Sequence, residues 1–178
     1  MKKWLLLSCL TASMLFASSF SKQEKTTQEK LGEMLFFDPI LSENKTISCT
    51  SCHKPEFAFA DTSAFSIGVH GKTGKRNTPS AMNMSSREGF FWDGRAATLE
   101  DQALFPIEDP NEMNLPIATA VWRLNNSKKY RSVFYSVFKQ YPNKKNLGAA
   151  IAAYERTLET SSTPNDRWLQ DKPNEEEG

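Results

Sequence analysis

Cys49-Thr50-Ser51-Cys52-His53 is the stretch that decides how this chain of 178 residues is interpreted. Its spacing is Cys-x-x-Cys-His, the pattern for covalent attachment of a c-type haem. On one turn of helix, two thiols three positions apart can each add to one vinyl group of a single porphyrin, and the adjacent imidazole can reach the iron. We therefore predict Cys49 and Cys52 as the covalent anchors of one haem c and His53 as its proximal iron ligand.

Two other interpretations of these residues stay open from the sequence. A disulfide or redox-active dithiol would use Cys49 and Cys52 but would leave His53 unexplained. A zinc site would need both cysteines together with His53 and His70. Neighbouring Cys52 and His53 are awkward ligands for one tetrahedral ion, and structural zinc sites usually have a wider spacing.

The first residues predict export. Lys2 and Lys3 precede an apolar run from Trp4 to Phe20, which ends in small side chains, and this arrangement predicts a secretory signal peptide over residues 1–21. Export agrees with the haem motif, because c-type haem is attached outside the cytoplasm, so we expect a periplasmic protein. A lipid on Cys9 and a membrane-spanning anchor are alternatives. The run is short and diluted by hydroxyl side chains, so we expect no stable membrane anchor.

Composition indicates a globular protein. Hydrophobic residues make up 39% of the chain and charged residues 24%, which excludes a collagen-like or wholly disordered protein. Lys2 and Lys3 account for two of the 22 basic residues, so 20 basic residues face 21 acidic ones after the signal peptide. This balance indicates no nucleic acid partner. We expect one haem domain over residues 22–170 and a disordered tail over residues 171–178.

Apolar periodicity predicts helices and no strand, hence an all-α fold of the c-type cytochrome kind. Between Asp38 and Gly89 no periodicity is found apart from the haem turn, and we expect long irregular loops that wrap the porphyrin. The predicted helices run from Glu24 to Phe37, from Thr98 to a stop at Pro106, from a cap at Asn114 and Pro116 to Asn126, through the aromatic stripe Tyr130 to Tyr141, and from Leu147 to about Thr160.

His70 is the second histidine of the chain and lies between Gly68 and Gly71, which allow close backbone approach. A haem iron with His53 on one face needs a group on the other. We favour His70 as sixth ligand or distal-pocket group. The alternatives are the methionines at positions 34, 82, 84 and 113.

Several further blocks, taken together with the haem motif and in this order, resemble the bacterial di-haem cytochrome c peroxidases of the MauG group. The resemblance covers nearly all of the chain after the signal peptide. The blocks are Leu31-Gly32 with Leu35-Phe36-Phe37-Asp38-Pro39, Ile67-Gly68-Val69-His70-Gly71, Arg76-Asn77-Thr78-Pro79, Phe91-Trp92-Asp93-Gly94-Arg95-Ala96, Leu99 to Pro106, Pro110 to Met113, and Ala152-Ala153-Tyr154-Glu155-Arg156-Thr157.

The resemblance implies that this is the half of the enzyme that carries the low-potential, peroxide-reacting haem. It implies that His70 is a distal ligand that leaves the iron on activation, and that Gln102 and Glu112 are the distal pair that handles peroxide. Trp92 would lie between two haems, and Asn77 would contribute to a calcium site. The implied reaction is reduction of hydrogen peroxide to water with electrons from a small c-type cytochrome.

The family carries a second Cys-x-x-Cys-His motif in a C-terminal domain, and this sequence has one such motif. The chain is therefore expected to be either a fragment or a natural single-haem protein. The calcium site would be incomplete for the same reason, because its other ligands would come from sequence that is missing here. The alternative function is a mono-haem electron carrier without peroxidase turnover, and a dithiol protein is the alternative without haem.

Overall fold

The computed structural model of the protein describes residues 26–160 and Trp168. Over these residues the chain is helical and contains isolated β-bridges but no strand, which confirms the predicted helical class. The predicted signal peptide and tail lie outside the described residues. The helices are α1 (Gln28–Phe37), α2 (Leu99–Gln102), α3 (Phe105–Glu108), α4 (Ile117–Asn126), α5 (Lys128–Phe138) and α6 (Lys144–Glu155).

The core forms where α1 packs along α6. Gly32 makes this close approach possible, because the backbone of Ala150 lies where a side chain at position 32 would have to go. Large apolar side chains from both helices and from α4 and α5 fill the space around this contact. The fully buried ones include Leu31, Leu35, Phe36, Leu124, Tyr130, Phe134, Leu147 and Ile151.

Side-chain caps set the ends of the first and last helices. Thr27 accepts a hydrogen bond from the backbone N–H of Lys30 at 3.2 Å, so α1 begins at Gln28 and not at Glu24 as predicted. Asn143 and Asn146 each bond the other's backbone N–H, at 3.0 Å and 2.8 Å. This reciprocal cap starts α6 three residues before the predicted Leu147, and α6 ends at Glu155 and not near Thr160.

The middle helices differ from the prediction at three residues. Pro106 lies in the first turn of α3, where a missing N–H costs nothing, so it opens a short helix and does not end one. Asn114 has φ 49° and is not a cap; α4 begins after Pro116. Lys139 has φ 56° and ends α5, which leaves Tyr141 outside the helix and 48% exposed.

The loop before the haem motif is fastened to α4 and α5. The guanidinium of Arg123 donates to the carbonyl oxygens of Ile40 and Ser42 at 2.6 Å each and to that of Glu43 at 3.1 Å. The hydroxyl of Tyr130 donates to Asp38 at 2.7 Å. The irregular segment that carries the motif is thus held to a rigid helical base. Within residues 26–160, no helix is both long and apolar enough to span a bilayer.

Candidate haem-binding site

The Cys-x-x-Cys-His pentapeptide folds as a single tight turn. The N–H of His53 donates to the carbonyl of Cys49 at 2.8 Å, and the N–H of Cys52 donates to the same oxygen at 3.2 Å. Ser51 closes the start of the turn by accepting the N–H of Ser48 at 3.0 Å. Cys49 and Cys52 are not joined by a disulfide, so both sulfur atoms are free to react.

The imidazole of His53 is oriented by a backbone carbonyl. Its Nδ1 lies 3.0 Å from the carbonyl oxygen of Phe59. A carbonyl can only accept, so Nδ1 carries the proton and Nε2 keeps its lone pair for a metal. Burial lowers the pKa of His53, while hydrogen bonds to the backbone of Phe59 and Pro79 oppose that shift. The ring of Phe36 packs 6.2 Å from the imidazole, centroid to centroid, and so links α1 to this site.

The two thiols lie in surroundings that disfavour the thiolate. Burial raises the pKa of Cys49 far above its usual range, and the neighbouring Glu155 and Cys52 add to the effect. Burial also raises the pKa of Cys52, although a hydrogen bond with Ser66 opposes it. A redox-active dithiol needs a thiol with a depressed pKa, so this environment argues against the dithiol alternative.

Glu155 is a site residue that the sequence analysis did not identify. Its side chain projects from the end of α6 and is 7% exposed, and its Oε2 has no hydrogen-bond partner among the described residues. Burial raises the pKa of Glu155 to about 8, so the carboxyl is neutral at pH 7. Spacing is the feature of the sequence that indicates its burial. Glu155 follows the buried Ile151 by one helical turn and therefore lies on the same face of α6.

These residues fit a covalently bound haem. The donor set consists of two unpaired sulfur atoms and one imidazole nitrogen with a free lone pair, which is what a c-type haem requires. The unpaired Oε2 of Glu155, whose carboxyl influences Cys49, leaves a buried polar position that a further group would satisfy. Cys49, Cys52 and His53 would hold the haem.

Glu112 is the predicted catalytic residue whose charge acts on the cysteines of the motif. Burial raises the pKa of its carboxyl, Asp109 raises it further, and Arg95 opposes the shift. The carboxyl lies near enough to contribute to the raised pKa of both Cys49 and Cys52. It faces a cleft of about 210 Å³ lined by Phe91, Arg95, Phe105, Pro106, Glu108, Asp109 and Glu112.

The loop that carries His70 is hydrogen-bonded to the segment that carries Glu112. The N–H of Val69 donates to the carbonyl of Glu112 at 2.8 Å. The Nε2 of His70 lies 2.9 Å from a carboxylate oxygen of Glu43, and the Asn114 amide donates to that oxygen at 2.6 Å. His70 is exposed and has φ 58°. In this conformation the Glu43 carboxylate contacts the imidazole nitrogen through which His70 would bind a metal ion.

The other predicted site residues are partly or largely exposed. Trp92 is 71% exposed, and the guanidinium of Arg76 lies 4.0 Å above its ring. Gln102 is the half-buried last residue of α2, and Asn77 is exposed on a loop. Of the methionines considered as iron ligands, Met84 and Met113 are buried in apolar clusters and Met34 and Met82 are half-buried.

The described residues contain no group of three or more His, Cys, Asp or Glu side chains arranged to hold a metal ion. Their arrangement therefore does not supply the four-ligand zinc site considered from the sequence, and His70 contacts Glu43 instead.

Comparisons with known proteins agree with the site. Residues 26–174 match the family model for di-haem cytochrome c peroxidase. The chain is 39% identical over 149 residues to the cytochrome c peroxidase Ccp of Escherichia coli K12, covering 81% of this chain and 31% of that protein. It is 37% identical over 151 residues to the methylamine utilization protein MauG of Methylorubrum extorquens, covering 83% of this chain and 43% of that protein.

A solved structure has the same fold. The crystal structure of a MauG-like protein associated with microbial copper homeostasis superimposes with a TM-score of 0.73 at 34% identity, covering 80% of this chain and 43% of the other. The chain thus spans less than half the length of the curated relatives that it matches. Motif order, sequence identity and fold agree, and the chain belongs to the di-haem cytochrome c peroxidase family.

Proposed function

We propose that the protein is a periplasmic haem c oxidoreductase that reduces hydrogen peroxide to water with electrons from a small c-type cytochrome. The observation that carries the proposal is the position of the half-buried Glu112 carboxyl, at the wall of a cleft and near enough to the haem motif to raise the pKa of both cysteines. An electron carrier needs no proton-transferring group there, whereas a peroxidase does.

In the proposed reaction, Cys49 and Cys52 hold the haem through thioether bonds and His53 binds its iron. The haem, when bound, supplies an iron atom that takes up peroxide and passes electrons to it. Cleavage of hydrogen peroxide consumes two protons and two electrons and yields two molecules of water. The protein must therefore move protons at the oxygen atoms while the bond between them breaks.

Glu112 is suited to this proton transfer. Because burial raises its pKa above the usual value, the carboxyl is better suited than an ordinary one to accept a proton from the nearer peroxide oxygen and return it to the departing one. Arg95 opposes that pKa shift and keeps the carboxylate form accessible. Gln102 is proposed to hydrogen-bond the peroxide, and Trp92, at the surface, to lie on the path of electrons between this haem and a second one.

The contact between His70 and Glu43 gives the His70 imidazole a partner other than the haem iron. A locked six-coordinate carrier would use the imidazole Nε2 of His70 or a methionine sulfur as a permanent ligand. Here that Nε2 is 2.9 Å from Glu43. We propose that His70 is a displaceable distal ligand. Asn77 is proposed as one ligand of a calcium ion.

The proposal predicts that the full-length, haem-loaded protein oxidises two reduced cytochromes for each peroxide consumed. The measurement is the loss of the reduced cytochrome absorbance at limiting peroxide, with the protein tested both fully oxidised and after partial reduction. A reaction without peroxide is the control. Oxidation no faster than without the protein, together with a haem spectrum insensitive to cyanide and peroxide, would establish the electron carrier instead.

A further inference from the structure

The turn that follows the haem motif holds a backbone carbonyl against His53 at a conformational cost. Ala58 and Phe59 have φ 54° and 56°, a left-handed region that residues with a side chain seldom adopt. Two such residues in succession are retained only where the surroundings enforce them. The result is that the carbonyl oxygen of Phe59 accepts from His53 Nδ1 at 3.0 Å and from the N–H of Ala81 at 3.1 Å.

Asp61 joins the two ends of this turn. Its side chain is 3% exposed, and one carboxylate oxygen accepts from Lys54 Nζ at 2.7 Å. Lys54 directly follows His53, and its backbone N–H donates to the carbonyl of Ala60 at 3.1 Å. The Asp61 carboxylate thus fixes the start of the turn to its end, and the strained residues lie between these points.

The second oxygen of Asp61 connects the turn to another loop. It accepts the hydroxyl of Ser66 at 2.5 Å, and that hydroxyl lies 2.7 Å from the hydroxyl of Thr78. The next residue, Pro79, is one of the two whose backbone raises the pKa of His53. One buried carboxylate therefore connects the turn that hydrogen-bonds the imidazole to the loop around Thr78.

We propose that Asp61 is a positioning residue that holds the Phe59 carbonyl on His53 Nδ1 and so sets how strongly Nε2 donates to the haem iron. The inference rests on the proposed haem binding. A hydrogen bond that an imidazole donates through its far nitrogen raises the basicity of the ligating nitrogen. Stronger donation favours ferric over ferrous iron, so losing this hydrogen bond makes the iron easier to reduce.

The test compares Asp61→Asn with Glu33→Gln in the full-length, haem-loaded protein. Glu33 pairs with Lys30 on the exposed part of α1, so its variant removes the same charge away from the turn. Reduction potentials are measured by spectroelectrochemistry, and the strength of the iron–histidine bond by resonance Raman spectroscopy of the ferrous haem and its carbon monoxide adduct.

For Asp61→Asn we expect the equilibrium constant for reduction to rise at least about tenfold, equivalent to about 59 mV for one electron. We also expect the iron–histidine stretching frequency to fall. Glu33→Gln should change neither quantity. The Raman shift separates a weakened hydrogen bond from the loss of charge, which alone would move only the potential.

Ser66→Ala keeps the charge of Asp61 and removes the hydroxyl that donates to its second oxygen, together with that hydroxyl's contacts to Thr78 and Cys52. It provides a second variant if Asp61→Asn does not fold. It should lower the iron–histidine frequency by a smaller amount. Unchanged frequencies in folded, haem-containing variants would overturn the role of Asp61 and leave the haem proposal intact. A wild-type protein without haem would instead overturn the haem proposal itself.

Discussion

Glu112→Gln is expected to slow the peroxide-dependent oxidation of cytochrome c by at least about tenfold, a loss of ~1.4 kcal/mol of transition-state stabilisation. Gln keeps the shape of the side chain but cannot accept and return a proton. The carbonyl of Glu112 would still accept the N–H of Val69, because that contact belongs to the backbone. The measurement is the steady-state rate per haem in the full-length protein.

Glu88→Gln is a matched control for this variant, because it makes the same chemical change on an exposed loop. Its rate should equal that of the wild type. If Glu112→Gln also turned over at the wild-type rate with the same haem content, Glu112 would have no part in proton transfer, and the function proposed from its position would lose its main support.

Gly32→Ala is expected to destabilise the protein by about 3 kcal/mol or more. The new Cβ would lie 1.9 Å from the carbonyl oxygen of Ala150 and 2.8 Å from the Cβ of Tyr154, so α1 and α6 would have to separate. Helix propensity alone predicts the opposite sign, because Ala in a helix interior is favoured over Gly by about 1 kcal/mol. Urea unfolding measures the difference in the free energy of unfolding.

Gly74→Ala is the control for this prediction. The nearest atom to its new Cβ is the carbonyl oxygen of Arg76 at 3.8 Å, an ordinary contact distance. We expect it to change the free energy of unfolding by less than about 0.5 kcal/mol, as surface substitutions usually do. A Gly32→Ala variant as stable as the wild type would mean that α1 and α6 do not meet at the distance described here.

The haem motif could be predicted from the sequence because its chemistry is local. Cys49, Cys52 and His53 lie within five residues, and one turn of chain brings them together whatever the rest of the molecule does. Family membership was predicted for a similar reason, since several short blocks occur in a fixed order. The comparisons confirm that prediction.

The surroundings of the motif could not be predicted in this way. Glu43 and His70 are 27 residues apart and meet only because Arg123 and the segment around Glu112 fix their loops. Asp61 resembles any loop aspartate in the sequence, and its importance appears only when Lys54 and Ser66 are seen to surround it. Tertiary contacts of this kind carry no local pattern.

Helix ends were predicted less well than helices, and the reasons are specific. The cap at Asn143 lacks the usual sequence signal, because its partner is Asn146 and not Glu or Gln. Pro106 is ambiguous in the sequence, because proline can follow the end of a helix or lie in its first turn. Glu155 was missed because a carboxyl in an apolar stripe is usually a surface residue.

The central claim is that a haem is bound to this chain through the sulfur atoms of Cys49 and Cys52. Extraction with acidified acetone, followed by the pyridine haemochrome spectrum of the pellet and the supernatant, tests it most directly. The account predicts that all haem stays with the polypeptide and gives the spectrum of a c-type haem, and that a Cys49→Ser, Cys52→Ser double variant releases it. A colourless wild-type protein, or haem extracted from the wild type into the acetone, would contradict the account.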